Sequence, residues 1–196
     1  MSGSVGPVEP AVRDEFPGLR LHWIALEATV HGSPREVERR LNALSDRYQG
    51  AGVVAMRTKP IPHAYRSFFR QVGLDPDASR IPSEEAAVRR LLHGRFRSRD
   101  IVEDARLIAL VETGVPVWAL DAAVVDPGGL GIGIRDGQLV VADARRVHGI
   151  LFAEPNAGHV PGPQTRRMVL FAVGVEGVPA IHLEEALWVA QEVLTD

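Results

Sequence analysis

The chain has 196 residues, the length of one ordinary domain that buries a substantial core. Hydrophobic residues make up 45% and charged residues 24%, which is typical of folded domains rather than disordered chains. The absence of cysteine excludes thiolate nucleophiles, disulfides and cysteine-ligated zinc or iron–sulfur sites. The net charge of −3 excludes a broadly basic nucleic-acid coat and allows only a local basic patch.

The N-terminal stretch 1–17 is rich in Gly, Pro and Ser and has no hydrophobic periodicity, so we expect a flexible tail followed by a single domain over 18–196. The stretch lacks the basic start and apolar core of a secretory signal. No later stretch has the roughly 20 apolar residues that span a bilayer. The sequence therefore predicts a cytoplasmic protein with no membrane contact.

The first regular elements are a strand and a helix. Residues 19–30 are rich in β-branched and aromatic residues and mostly alternate, which predicts a strand. Ser33 is expected to cap the following helix, with Pro34 at the first helical position and Glu36 at the third.

Three short segments follow. We expect a buried strand over 52–56 and an irregular approach over 59–62, where two prolines prevent strand pairing. An aromatic helix over 63–72 is predicted to end at Gly73.

Two charged helices and a strand come next. Ser83 is expected to cap the first helix, which has glutamates in its first turn and ends at Gly94. Asp100 begins a second capping box, for a helix through Thr113. A strand over 115–120 then ends in Asp121.

The last third of the chain is β-rich. Its Asp136-Gly137 pair is a strong signal for a hairpin turn. The predicted elements are a hairpin over 131–134 and 138–142, strands over 149–153 and 168–175, and an amphipathic helix over 183–194.

Several common site motifs are missing. The glycine-rich stretch 128–134 precedes a hairpin turn and not a helix, so it does not fit a dinucleotide loop. The seven histidines show no metal-ligand spacing, and no metal or cofactor is expected. His148 and His159, which flank a strand and a loop, are the better candidates for a polar site. No serine lies in a nucleophile elbow, so ester hydrolysis would use a positioned water.

Five arginines lie within eleven residues: Arg89, Arg90, Arg95, Arg97 and Arg99. The last three alternate along an extended linker after Gly94, and so they can point to one side. Guanidinium groups suit phosphate oxygens, and Phe96 among them can stack on a base. The alternative is a solvated helix end whose cations the helix dipole favours.

The loop 152–168 is the second candidate site. Three prolines limit its freedom, and such polar loops between strands often carry sites, although a plain surface loop is equally compatible with the pattern. Its polar residues are Glu154, Asn156, His159, Gln164, Thr165, Arg166 and Arg167.

The stretch from Tyr65 to Asp121 resembles the B3/B4 domain of the bacterial phenylalanyl-tRNA synthetase beta subunit and its free-standing relatives. The resemblance depends on the order of an aromatic helix, a G-x-D-P turn, a P-S-x-E-A helix, a carboxylate helix and a strand closing on aspartate. The matching residues are Tyr65, Gly73-Leu74-Asp75-Pro76, Pro82-Ser83-Glu84-Glu85-Ala86, Arg89-Arg90, Gly94, Asp104 and Asp121.

The resemblance implies an α+β fold with a β-sandwich-like core of unusual topology flanked by helices. It also implies a free-standing hydrolase that deacylates misacylated tRNA in trans. The expected site comprises catalytic Glu154, His159 and Thr165, substrate-binding Asn156, Asp104 and Asp121, and the five arginines on the aminoacylated 3′ end of tRNA. The alternative is a non-catalytic module of the same fold that binds tRNA or an amino-acid-like ligand.

Overall fold

The computed structural model describes residues 3–48, 56–126 and 128–195, which form an α+β fold with six helices and two antiparallel sheets. The helices are α1 (Pro10–Glu15), α2 (Arg35–Arg47), α3 (Pro60–Gln71), α4 (Pro82–His93), α5 (Ile101–Thr113) and α6 (Ala180–Thr195). The strands are β1 (Ser4–Gly6), β2 (Arg20–Glu27), β3 (Val117–Asp121), β4 (Gly131–Arg135), β5 (Gln138–Ala142), β6 (Val147–Ile150) and β7 (Arg167–Gly174). The predicted fold class is confirmed.

The larger sheet has the strand order β1-β2-β7-β3, and the smaller sheet has the order β4-β5-β6. Every neighbouring pair is antiparallel. The long central strands β2 and β7 pair from Arg20 opposite Gly174 to Glu27 opposite Arg167. Strand β7 is buried almost throughout, because β2 and β3 flank it within the sheet and α6 packs against it.

Backbone hydrogen bonds join the two sheets at two places. Next to β1, Ile132 of β4 donates to Pro7 O at 2.9 Å and accepts from Glu9 N at 2.9 Å. Beyond β6, Asn156 N donates to His148 O at 2.8 Å, and Asp121 N at the end of β3 donates to His159 O at 2.9 Å. The loop between β6 and β7 is therefore held against both sheets.

The N-terminal segment differs from the flexible tail that its composition predicts. Strand β1 pairs with β2, and Val12 of α1 is fully buried. Proline and glycine have structural uses here: Pro10 occupies the first turn of α1, and Gly6 allows close packing. A Cβ atom at Gly6 would lie 2.1 Å from Leu130 O, so no larger residue fits.

One hydrophobic core contains residues from all six helices and both sheets. Phe152, in the turn after β6, packs in an aromatic group with Tyr65, Phe68 and Phe69 of α3 and with Trp118 of β3. Ring centroids in this group lie 5.6 to 5.8 Å from that of Phe152. The group joins the smaller sheet to the helices.

Three predicted helix starts were wrong in detail. Helix α4 begins at Pro82 with Ile81 at its N-cap position, so Ser83 lies within the first turn, where its buried hydroxyl has no hydrogen-bond partner among the described residues. Helix α2 begins at Arg35, one residue later than predicted, with Pro34 at its N-cap position. Ser33 does not cap it, because its hydroxyl donates to Asp104 at 2.6 Å. Helix α3 begins at Pro60, so the segment 59–62 is not an irregular approach. Proline is compatible with the first helical turn, where its missing N–H has no partner to lose.

Other local predictions agree with the structure. Asp100 caps α5 by accepting from Val102 N and Glu103 N, and Gly94 and Gly114 adopt the left-handed conformation that ends α4 and α5. The hairpin turns at Asp136 with φ 52° and Gly137 with φ 75°.

One predicted strand is shifted along the chain, and another falls largely outside the described residues. The strand predicted over 149–153 lies slightly earlier, at Val147–Ile150. The strand predicted over 52–56 falls almost entirely on residues outside the described ranges.

Among the described helices, none has both the length and the apolar character needed to cross a membrane.

Candidate functional site

A cleft of about 530 Å³ lies between α4, the linker 94–100, α5, the start of β3 and the loop after β6. We call it the arginine cleft. Its volume is within the range of small-molecule sites. Apolar side chains in its lining include Leu107, Leu110, Trp118 and Phe152.

Positive charge predominates in the arginine cleft. The described lining residues include seven arginines and four carboxylates, which leaves an excess of positive charge. The arginines are Arg80, Arg89, Arg90, Arg95, Arg97, Arg99 and Arg106, and the carboxylates are Glu85, Glu103, Asp104 and Glu154. The cleft thus brings the five predicted tRNA-binding arginines together with predicted Asp104 and Glu154.

The linker 94–100 is anchored at two points. Phe96 is buried, and its backbone N–H donates to Ser45 Oγ at 2.8 Å. Asp104 accepts from Ser98 Oγ at 2.5 Å and from Arg99 N at 3.1 Å. Because these contacts hold the backbone and the small side chains, the arginine side chains of the linker remain exposed.

The five predicted arginines fall into two groups. Arg89 donates to Glu85 at 3.1 Å and Arg90 to Ser45 O at 3.0 Å. The side chains of Arg95, Arg97 and Arg99 make no hydrogen bond or ion pair with any residue that the structure describes. These three guanidinium groups are therefore available to a ligand.

Arg106 joins two carboxylates on one wall of the cleft. It donates to Glu103 at 2.5 Å, to both oxygens of Glu154 at 2.8 and 2.9 Å, and to Val117 O at 2.9 Å. Its side chain is only 13% exposed, whereas that of Glu154 is 70% exposed. The charge of Glu154 is thus balanced by a fixed cation, a pairing that no local sequence signal indicated.

The other four predicted site residues lie together around the end of β3. His159 N donates to Asn156 O at 2.8 Å, and His159 O accepts from Asp121 N at 2.9 Å. Asp121 accepts a hydrogen bond from the hydroxyl of Thr165, which is only 2% exposed. Asn156 Nδ2 also donates to Val147 O at 3.1 Å. These contacts make the four residues one hydrogen-bonded group.

A second group shares His159 with the first. Nδ1 of His148 lies 3.1 Å from Nδ1 of His159, and Nε2 of His148 lies 2.8 Å from Asp143 Oδ2. We call Asp143, His148 and His159 the histidine cluster. The side chains of Asp143 and His148 are fully buried, whereas His159 is half-buried. Asp143 was missed because in sequence it is one turn aspartate among many.

Hydrogen bonds and burial set the charges of this cluster. Burial raises the pKa of Asp143, but this effect is outweighed by hydrogen bonds from the backbone of Asp126, Arg145 and Arg146 and from His148, which lower the pKa to about 2. Burial, followed by His148 and Arg146, lowers the pKa of His159, although Asp143 opposes the shift. At pH 7 Asp143 is therefore ionised and His159 is neutral.

The loop between β6 and β7 contributes to both places. It carries Glu154 on the arginine cleft and His159 in the histidine cluster, only five residues further along the chain. Five residues of extended chain span at most about 18 Å. The backbone positions of Glu154 and His159 therefore lie within about 18 Å of each other.

The comparisons with known proteins assign no function to this region. No protein-family model matches the chain. The search of curated proteins likewise found no significant match.

Proposed function

We propose that the arginine cleft binds the acceptor end of an aminoacylated tRNA, and that the protein hydrolyses the aminoacyl ester of misacylated tRNA in trans. The observation that carries the proposal is the placement of Arg95, Arg97 and Arg99. Their exposed guanidinium groups have no partner in the described parts of the chain and line a cleft that also has an apolar lining.

The charges and shape of the cleft favour a short phosphate-bearing ligand. Guanidinium groups bind phosphate oxygens in two-pronged hydrogen bonds, and apolar and aromatic side chains accept the faces of bases and ribose. The net charge of −3 disfavours a long nucleic-acid footprint. A single-stranded 3′ end that places a few phosphates on the linker fits both conditions.

The hydrolytic part of the proposal is supported by the resemblance to the B3/B4 domain and by the groups near the cleft. Glu103 and Glu154 share the single cation Arg106, which leaves one net negative charge that suits the α-ammonium group of an aminoacyl ester. His159, on the same loop as Glu154, has an imidazole that is neutral at pH 7 and is chemically able to take a proton from water.

One observation favours the binding-only alternative. Two of the three predicted catalytic side chains are already engaged within the protein: Thr165 is buried and bonded to Asp121, and Glu154 is paired with Arg106. A module that binds tRNA or an amino-acid-like ligand requires neither group as a catalyst.

Variants of the linker test the binding proposal. Replacing Arg95, Arg97 and Arg99 together by glutamine is expected to weaken tRNA binding, because three phosphate contacts are lost. The slope of log K against log salt should fall in magnitude by about 2, given roughly 0.7 per contact on a single strand. Filter binding at several salt concentrations measures this slope. The matched control replaces Arg35, Arg39 and Arg70, which are exposed outside the cleft, and should leave it unchanged.

Hydrolysis is tested separately with a panel of mischarged tRNAs. The proposal predicts release of at least one amino acid faster than in buffer. Release at the buffer rate across the whole panel, together with salt-dependent tRNA binding, would exclude the hydrolase and support the binding module. Equal tRNA binding by the two triple variants would exclude the cleft as the RNA site.

A further inference from the structure

We infer that Asp143, His148 and His159 form a proton relay that fixes His159 in its Nδ1–H tautomer and leaves its Nε2 as a general base at the surface. The role in ester hydrolysis rests on the proposed function, whereas the tautomer does not.

The direction of each hydrogen bond follows from the buried end of the relay. An ionised carboxylate only accepts hydrogen bonds, so Nε2 of His148 must donate to Asp143. We assign His148 a single N–H, the one that the carboxylate of Asp143 accepts, and this assignment makes its Nδ1 an acceptor. The 3.1 Å contact between the two Nδ1 atoms then requires that His159 donate its Nδ1–H. Nε2 of His159 is left with a lone pair.

The relay runs from the interior to the surface. The side chains of Asp143 and His148 are inaccessible to solvent, while His159 is half-buried. Within the described parts of the chain, no hydrogen bond involves Nε2 of His159. The basic nitrogen is thus the one member of the relay that is free for water or a substrate.

The charges around His159 keep this nitrogen unprotonated at neutral pH. Burial lowers the pKa of His159, Arg146 acts in the same direction, and Asp143 acts in the opposite direction. The charge of Asp143 is in turn held by three backbone N–H groups, of Asp126, Arg145 and Arg146. A base that is neutral at pH 7 is ready to accept a proton without first losing one.

The proposed reaction balances as an ester hydrolysis. Nε2 of His159 takes a proton from water, and the hydroxide oxygen bonds to the ester carbonyl carbon. The Nδ1 proton of His159 shifts to Nδ1 of His148, whose positive charge then lies beside Asp143. The bond from the carbonyl carbon to the ribose oxygen breaks, that oxygen takes the proton returned through the relay, and free amino acid leaves.

Nitrogen-15 NMR of the labelled, full-length wild-type protein tests the tautomers directly. At pH 7.5 we expect His159 to carry its proton on Nδ1, and His148 to carry its proton on Nε2. The histidine signals are assigned in the wild type by through-bond correlation of each imidazole with its own backbone. A wild-type His159 with its proton on Nε2 overturns the relay, and this result does not depend on whether any variant folds.

Asp143→Asn provides a second test. An asparagine that turns its NH₂ toward Nε2 of His148 reverses each donor and acceptor, so His159 should switch to the Nε2–H form. Asp126→Asn is the matched control, because its carboxylate contacts Arg145 and Gly128 N rather than either histidine. In a folded Asp143→Asn variant whose His148 carries its proton on Nδ1, an unchanged His159 tautomer contradicts the inference.

Deacylation kinetics test whether His159 is the base, separately from whether the protein deacylates tRNA at all. With a tRNA that the wild type deacylates, His159→Ala should lower kcat by about 10²- to 10⁴-fold with little change in KM, and the His182→Ala control should not. A full rate in His159→Ala would exclude it as the base even with the expected tautomer. A wild type that deacylates no tRNA would instead refute the proposed function, and the NMR result would still decide the tautomer.

Discussion

The carboxylate of Asp104 lies beneath the linker of the arginine cleft and is almost completely buried, with 1% of its surface exposed. It accepts hydrogen bonds from two serine hydroxyls, those of Ser33 and Ser98, and from Arg99 N. A buried charge needs such partners to offset its lost hydration. These contacts explain how one residue holds the linker, and its predicted role in substrate binding stays a prediction.

We expect Asp104→Ala to lower the free energy of unfolding by about 2 to 4 kcal/mol. The substitution removes hydrogen bonds to a charged group and leaves buried donors without an acceptor. Urea denaturation measures the change. Asp14→Ala, which alters an exposed carboxylate in α1, should stay within about 0.5 kcal/mol of the wild type. Equal losses in the two variants would show that the contacts of Asp104 do not stabilise the fold.

At the scale of elements, α3 and α4 are joined by a buried ion pair. Arg66 of α3 donates to both oxygens of Glu84 at 2.8 and 2.9 Å, and each residue is only 5% exposed. Arg66 also donates to Asp77 in the connecting loop at 2.8 Å. The pair fixes how the aromatic helix α3 meets the helix that forms one wall of the cleft.

Removing one partner of this pair should destabilise the protein strongly. We expect Glu84→Leu to cost about 3 to 5 kcal/mol, because it leaves the buried Arg66 with less compensation. The double substitution Arg66→Met with Glu84→Leu should cost less than Glu84→Leu alone. Glu85→Ala serves as control, since it removes an exposed pair with Arg89 worth about 0.3 to 0.5 kcal/mol. Thermal or urea unfolding gives the comparison, and a double variant less stable than Glu84→Leu contradicts this account.

Helix caps show which element signals are reliable. Asp100 caps α5 as predicted because its partners, Val102 N and Glu103 N, lie within three residues. Ser33 has an equally good local motif, yet its hydroxyl binds Asp104, 71 residues away. A local motif indicates which groups a side chain is able to bind. Tertiary packing determines which of those groups lies within hydrogen-bonding distance.

At the scale of the whole molecule, the N-terminal segment closes one junction between the two sheets. Strand β1 lies at the edge of the larger sheet, and Val8 forms a parallel bridge with Ile132 of the smaller one. Gly6 is the point of closest approach, because a Cβ atom there would overlap Leu130 O. The loop after β6 makes the second junction, beside the histidine cluster.

Gly6→Ala should therefore destabilise the protein by about 2 kcal/mol or more, since the backbone carbonyl of Leu130 cannot move aside cheaply. Gly32→Ala is a matched control, because no atom lies within 4 Å of the added methyl group. Unfolding curves of both variants test the junction. A Gly6→Ala variant as stable as Gly32→Ala would mean that the N-terminal segment contributes little to joining the sheets.

Local sequence patterns predicted most helices and strands, the helix ends at Gly94 and Gly114, and the Asp136-Gly137 turn. Each of these signals involves residues within a few positions of one another, so backbone conformation and local hydrogen bonds suffice to produce it. Contacts between side chains from different elements, such as those of Arg106 with Glu154 and of Asp143 with His148, could be seen only in the folded protein. Such contacts depend on how strands pair and helices pack, and no local pattern encodes that geometry.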